Sequence, residues 1–93
     1  MKYEWDALKA INNVKKHEVD FADAVIALED EYALTIEGFN HDEQRFKTLG
    51  IGALLKLLFV VHVERTENII RIISARKADK NELKQYYKGL DHE

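Results

Sequence analysis

The stretch from Leu54 to Val63 constrains the chain most. Only Lys56 and His62 interrupt its run of apolar side chains. It is too short to cross a bilayer, which takes about 20 apolar residues in a helix. A run of this length and composition fits a central β-strand covered on both faces, so the rest of the chain must supply that cover. With 93 residues in all, there is material for one core, and a single domain over residues 1–93 is expected.

The flanking patterns suggest how the cover is built. Tyr3-Glu4-Trp5 is a short β-like opening. Asp6 is a good N-cap for a helix to about Lys16, with Ala7, Leu8, Ala10, Ile11 and Val14 at helical spacing as its core-facing stripe. Lys9, Asn13 and Lys16 then share the opposite, exposed side, with His17 at its edge. Asp20 caps a second helix carrying Phe21, Ala24, Val25 and Leu28. Tyr32–Glu37 reads as a strand, 38–42 as a loop and Arg45–Ile51 as a half-exposed strand. Gly50 and Gly52 mark a tight turn into the apolar run. After a polar turn over 64–68, the β-branched residues of 69–75 predict another strand. Asp79 and Glu82 form a capping-box pattern opening a last helix with Leu83, Tyr87 and Leu90 on its apolar side. The order predicts an α+β domain: a twisted, mostly antiparallel sheet with two N-terminal helices and one C-terminal helix on one side.

Composition narrows the function classes. The absence of cysteine excludes disulfides and thiolate zinc sites. The opening residues lack a basic flank followed by an apolar run, which predicts a cytoplasmic protein with no membrane partner. A net charge of −3 argues against coating nucleic acid by bulk electrostatics but leaves room for a local basic site. His41, His62 and His92 show no recognised ligand spacing with Asp42, and no metal or cofactor is expected.

Three ordered blocks resemble one family. Trp5-Asp6, Lys9, Asn13, Lys16-His17, Val19 and Phe21 match the opening pattern of BrnT-type toxins. Arg45-Phe46 with Gly50 match a second block. The run Arg71 to Ala78, followed by Glu82 and Tyr86, matches a third. The resemblance implies a RelE-like fold and a metal-independent endoribonuclease that inhibits translation. It also implies neutralisation by a cognate DNA-binding antitoxin that represses the shared operon, with toxin–toxin contact in the complex as a further expectation. The acidic balance leaves a second reading open, a catalytically weak module that holds the antitoxin and tunes repression.

Cleaving RNA without a metal requires a base at the ribose 2′-hydroxyl, an acid at the leaving 5′-oxygen and cations for the transition-state charge. His17 is the candidate acid or base, because imidazoles titrate near neutral pH. Arg76 is the candidate transition-state cation, since a guanidinium grips phosphate with parallel donors; pairing with Glu82 is the alternative. Simple alternation over 69–76 sets Arg71 and Arg76 on opposite faces, assigning Arg71 to scaffold or partner. Lys9, Lys16, Arg45 and Lys77 are candidate RNA contacts. Glu82 and Tyr86 complete the catalytic candidates, with a helix cap as the alternative for Glu82 and core packing or base stacking for Tyr86.

Overall fold

A computed structural model describes residues 1–90. Among these residues five strands form one sheet: β1 (Lys2–Glu4), β2 (Leu34–Asn40), β3 (Glu43–Ile51), β4 (Leu57–Thr66) and β5 (Ile69–Lys77). Their spatial order is β1-β5-β4-β3-β2. All neighbours are antiparallel except β1, which runs parallel to β5. Helices α1 (Ala7–His17) and α2 (Phe21–Leu28) precede β2, and α3 (Lys80–Leu90) follows β5. The acidic 91–93 end, with His92, lies outside the described residues.

The apolar run does become the interior strand, but it starts later than its composition suggests. Leu54 and Leu55 sit in a 3-10 turn, Ala53–Leu55, with φ near +59° and +58°, and both are exposed. From Leu57 onward alternate residues enter two cores. Leu58 and Val60 pack with Ile72, Ala75, Phe21, Ala24 and Ala27 beneath α2. Leu57 joins Leu49 and Tyr86 on the other face, with Phe59 and Leu90 against them. The third helix therefore covers the opposite face from the first two, correcting the expected one-sided arrangement. A strand apolar on both sides requires cover on both.

Helix α2 lies close enough to β3 that a Cβ on Gly50 would fall 2.0 Å from the Ala27 carbonyl oxygen. The α2–β2 turn is pinned by Asp30, which accepts from the Tyr32 and Ile51 amides and from the Tyr86 hydroxyl. Gly38–Asn40 continues β2 rather than forming a loop, and the hairpin closes at His41-Asp42, with His41 at φ 59°.

Helix α1 begins as expected, with Asp6 accepting from the Lys9 amide, but its rotation is the reverse of the expected one. Leu8, Ile11 and Val14 are exposed, while Asn13 is buried. The reason lies at the sheet edge. β1 pairs only with Ile69–Arg71, leaving the rest of β5 with unmatched backbone groups on that side. Asn13 meets them: its amide donates to the Ala75 carbonyl at 2.8 Å and accepts from the Ala75 N–H at 3.2 Å. The same Nδ2 donates to the Val19 carbonyl at 2.8 Å. Leaving these three buried backbone groups without partners would cost about 1–3 kcal/mol each, which offsets what turning Leu8, Ile11 and Val14 inward would return. Asn13→Ala orphans groups on Ala75 and Val19 together, and thermal or urea unfolding is expected to show a loss of about 2–4 kcal/mol. Exchanging Val14 for Ala on the outward stripe is expected to cost under about 0.5 kcal/mol.

Candidate nucleic-acid site

With α1 turned this way, its polar face borders the β5 edge. Lys9, Asn12, Lys16 and His17 line an open depression of about 190 Å³ together with Asn13, Ile73 and Ser74. Three of the predicted residues, Lys9, Lys16 and His17, thus share one cleft. Ser74 joins them from the sheet; nothing in its local sequence marked it, because its place depends on strand register.

That register contains a bulge. Val61 pairs with Ser74 and His62 with Ile72, so Ile73 has no partner on β4. Ile72 and Ala75 both point into the α2 core. Arg71, Ser74 and Arg76 all project to the other face, paired with Val63, Val61 and Phe59. The two arginines therefore share a face, and the expectation that they point apart fails because the extra residue resets the alternation.

Arg76 lies 4.2 Å over the Phe59 ring and forms a two-pronged ion pair with Glu82, Nη1–Oε1 2.8 Å and Nη2–Oε2 2.9 Å. The pair raises the guanidinium pKa further, and the same bonds hold the Glu82 carboxyl below its usual range, although partial burial opposes both shifts. Glu82 also accepts from the Asp79 amide while Asp79 accepts from the Glu82 amide, completing the capping box. One carboxylate thus starts α3 and fixes the arginine.

The other candidates separate. The Tyr86 hydroxyl donates to Asp30 and the ring is buried; burial and that carboxylate push its pKa up. Leu83 and Tyr87, expected on the apolar side of α3, are exposed. Lys77 points to the face opposite Arg76, its Nζ 4.0 Å from Glu18. Arg45 pairs with Glu43 at 3.0 Å on β3, away from the α1 cleft. Arg71 binds Glu4 at 2.8 Å, stitching β5 to β1. Among the described residues, no three His, Cys, Asp or Glu side chains are grouped to hold a metal ion, and no helix is long and apolar enough to cross a membrane.

The family model describing BrnT, the ribonuclease toxin of type II toxin–antitoxin systems, matches residues 5–82. The chain belongs to the BrnT family. The matched span takes in every candidate residue except Tyr86. Among solved structures, the fold resembles the Brucella abortus ribonuclease toxin BrnT at 28% identity and a TM-score of 0.68, covering 86% of this chain and 99% of that one. No curated protein matches it.

One buried titratable group stands apart from the cleft. His62, which belongs to the α2 face, stacks on Phe46 and shares a hydrogen bond of 2.8 Å with Thr48, which in turn bonds Thr35. Its Nδ1 is buried without a partner among the described residues. Burial pushes its pKa down to about 4 from the ordinary 6.5. Between those values the unfolded chain takes up a proton that the folded one refuses, so stability falls as pH drops from 6.5 towards 4. The full loss is up to about 3 kcal/mol, and in urea unfolding of His62→Leu the slope is expected to shrink most between about pH 6.5 and 5, leaving the part due to carboxylates such as Glu82 below that.

Proposed function

We propose that the protein is an endoribonuclease that cleaves RNA without a metal ion at the α1–β5 cleft and inhibits translation by doing so, on the RelE-like plan that the resemblance implies. The supporting observation is that α1 turns Lys9, Lys16 and His17 towards the β5 edge at Ser74. Arg76 follows two residues on, about 7 Å along the same face.

In this reading Lys9 and Lys16 hold backbone phosphates. His17, the one imidazole on the cleft among the described residues, takes part in proton transfer at the ribose. Loss of the 2′-hydroxyl proton lets that oxygen bond to phosphorus while the bond to the 5′-oxygen breaks and the 5′-oxygen gains a proton. The products are a 2′,3′-cyclic phosphate and a free 5′-hydroxyl. Arg76 stabilises the charge on phosphorus through the N–H groups that Glu82 and the Lys77 carbonyl leave free, an arginine carrying five. Glu82 and Tyr86 act as positioning residues, one on Arg76 and the other on the α3 packing. Arg45 and Lys77 are RNA contacts outside the cleft.

With purified protein and a messenger fragment in EDTA, cleavage should persist, and His17→Ala should slow it about 10²–10⁴-fold without lowering the melting temperature. Arg76→Lys should also lose most activity, since lysine keeps the charge but not the fork. Full activity in His17→Ala would overturn the assignment.

The family implies a protein antitoxin, and we propose that it neutralises by covering α1. The exposed Leu8, Ile11 and Val14 stripe lies on the outward side of the helix that lines the cleft, so a partner that seats on it and wraps round α1 covers Lys9 and Lys16. Ile11→Asp should still arrest growth when expressed alone yet escape rescue by co-expressed antitoxin. Rescue equal to wild type would place the antitoxin elsewhere.

A further inference from the structure

The face opposite α1 and α2 is only partly covered, because α3 packs on the Leu49, Leu57 and Tyr86 end of it. Beyond that end the sheet surface is open, and one cross-strand row runs along it: Ile36 pairs with Lys47, Lys47 with Val61, and Val61 with Ser74. Ser74 is the residue that enters the α1 cleft. The row therefore joins the cleft to the β2–β3 hairpin, three strand spacings or about 14 Å away.

At the hairpin end lies a second depression, of about 300 Å³, lined by Gly38, Asn40, Arg45, Lys47 and Val61 together with Phe39. Its floor is Val61 and a bare stretch of β2 at Gly38. This glycine has no structural reason to be one. Its φ is not positive, and a Cβ there would meet nothing within 4 Å. Glycine inside a strand costs stability and commonly marks the close approach of a ligand. The walls are cationic: Arg45 is shared with Glu43, and Lys47 forms no ion pair among the described residues. In a chain of net charge −3, such a local excess favours an anionic occupant. A flat floor with two cations and one amide beside it suits a nucleotide: base on Gly38 and Val61, its edge read by the Asn40 amide, its phosphate held by Lys47 and Arg45.

We propose that this depression is a nucleotide subsite for the single-stranded RNA cut at the α1 cleft, and that it sets base preference at one position a fixed distance from the scissile bond. The proposal rests on the ribonuclease reading above. The RNA runs across the strands along the Ser74, Val61 and Lys47 row. Gly38→Val fills the floor with a residue of better β-propensity, and Asn40→Ala removes the reader while sparing the cations.

Two measurements separate this proposal from the reading it rests on. In the first, a randomised RNA pool is cut by each protein and the ends are sequenced. Wild type is expected to show a base preference at one fixed position, Asn40→Ala to lose it, and Gly38→Val to raise KM about tenfold. In the second, anisotropy of a labelled single-stranded oligonucleotide is followed in the His17→Ala background, where no cleavage is needed. Gly38→Val and Lys47→Ala should each weaken binding about tenfold, and Lys47→Ala should flatten the salt dependence by about 0.7 in slope. If wild type cuts RNA and the variants match it in both preference and binding, the subsite is overturned while the ribonuclease reading stands. If wild type cuts nothing but the variants weaken binding, the depression stands as a nucleotide site, while the ribonuclease reading and the link to a scissile bond fall. Absence of both cleavage and binding overturns both.

Discussion

The contact between the Asn13 amide and the backbone of Ala75 decides more of this structure than any apolar contact does. A five-stranded sheet whose last-paired neighbour, β1, spans only three residues leaves most of β5 as an edge. Such edges invite pairing with other chains unless something covers them. Here a helix side chain covers it with matched hydrogen bonds, donor to acceptor in both directions. The same amide ties the α1–α2 link at Val19. Helix α1 is thus rotated by its polar side, and its rotation places the basic residues of the helix against the sheet edge. The scaffold requirement and the proposed chemistry use one face of one helix.

A second constraint acts across the sheet. The bulge at Ile73 keeps both Ile72 and Ala75 in the α2 core while turning Arg71, Ser74 and Arg76 together to the other face. Without the extra residue, a strand keeping Ala75 inward would send Arg71 inward with it, into an apolar core where an unpaired guanidinium is costly. The carboxylates then fix what the bulge has aimed. Glu4 receives Arg71 from β1, and Glu82 receives Arg76 while capping α3. The strand end, the third helix and the arginine are set by one side chain, so α3 begins where the arginine needs it.

These features explain which parts of the fold were legible in the sequence. Caps were readable because they are local: Asp6, Asp20 and the Asp79 with Glu82 box depend on residues two or three apart. The strands were readable from composition, and so was the α+β class. The rotation of α1 was not, because an apolar stripe at Leu8, Ile11 and Val14 points inward by default, and the competing demand sits 62 residues away at Ala75. Leu54 and Leu55 were absorbed into the strand because nothing in their type signals positive φ. The bulge was invisible because Ile70, Ile72 and Ile73 are all apolar, so the pattern shows no slip. For the site, Lys9, Lys16 and His17 were legible as helix neighbours, whereas Ser74, Gly38 and Lys47 depend on strand register, a property of pairs rather than of positions.

The charge arrangement bears on how an acidic chain would hold RNA at all. Three arginines of the open face have a carboxylate of their own, Arg45 with Glu43, Arg71 with Glu4 and Arg76 with Glu82. Paired this way, they contribute little net attraction at a distance, so long-range capture of a polyanion is weak. Lysines that form no ion pair among the described residues stand at the two ends of one row: Lys9 and Lys16 by the cleft and Lys47 at the hairpin. Lysines act as point charges and arginines as oriented forks. The lysines are placed to attract phosphate, and the held arginines to orient it once close. An RNA bound in this way gains little from nonspecific charge and most from correct register along the row, so selectivity would come from fit across the sheet rather than from overall affinity.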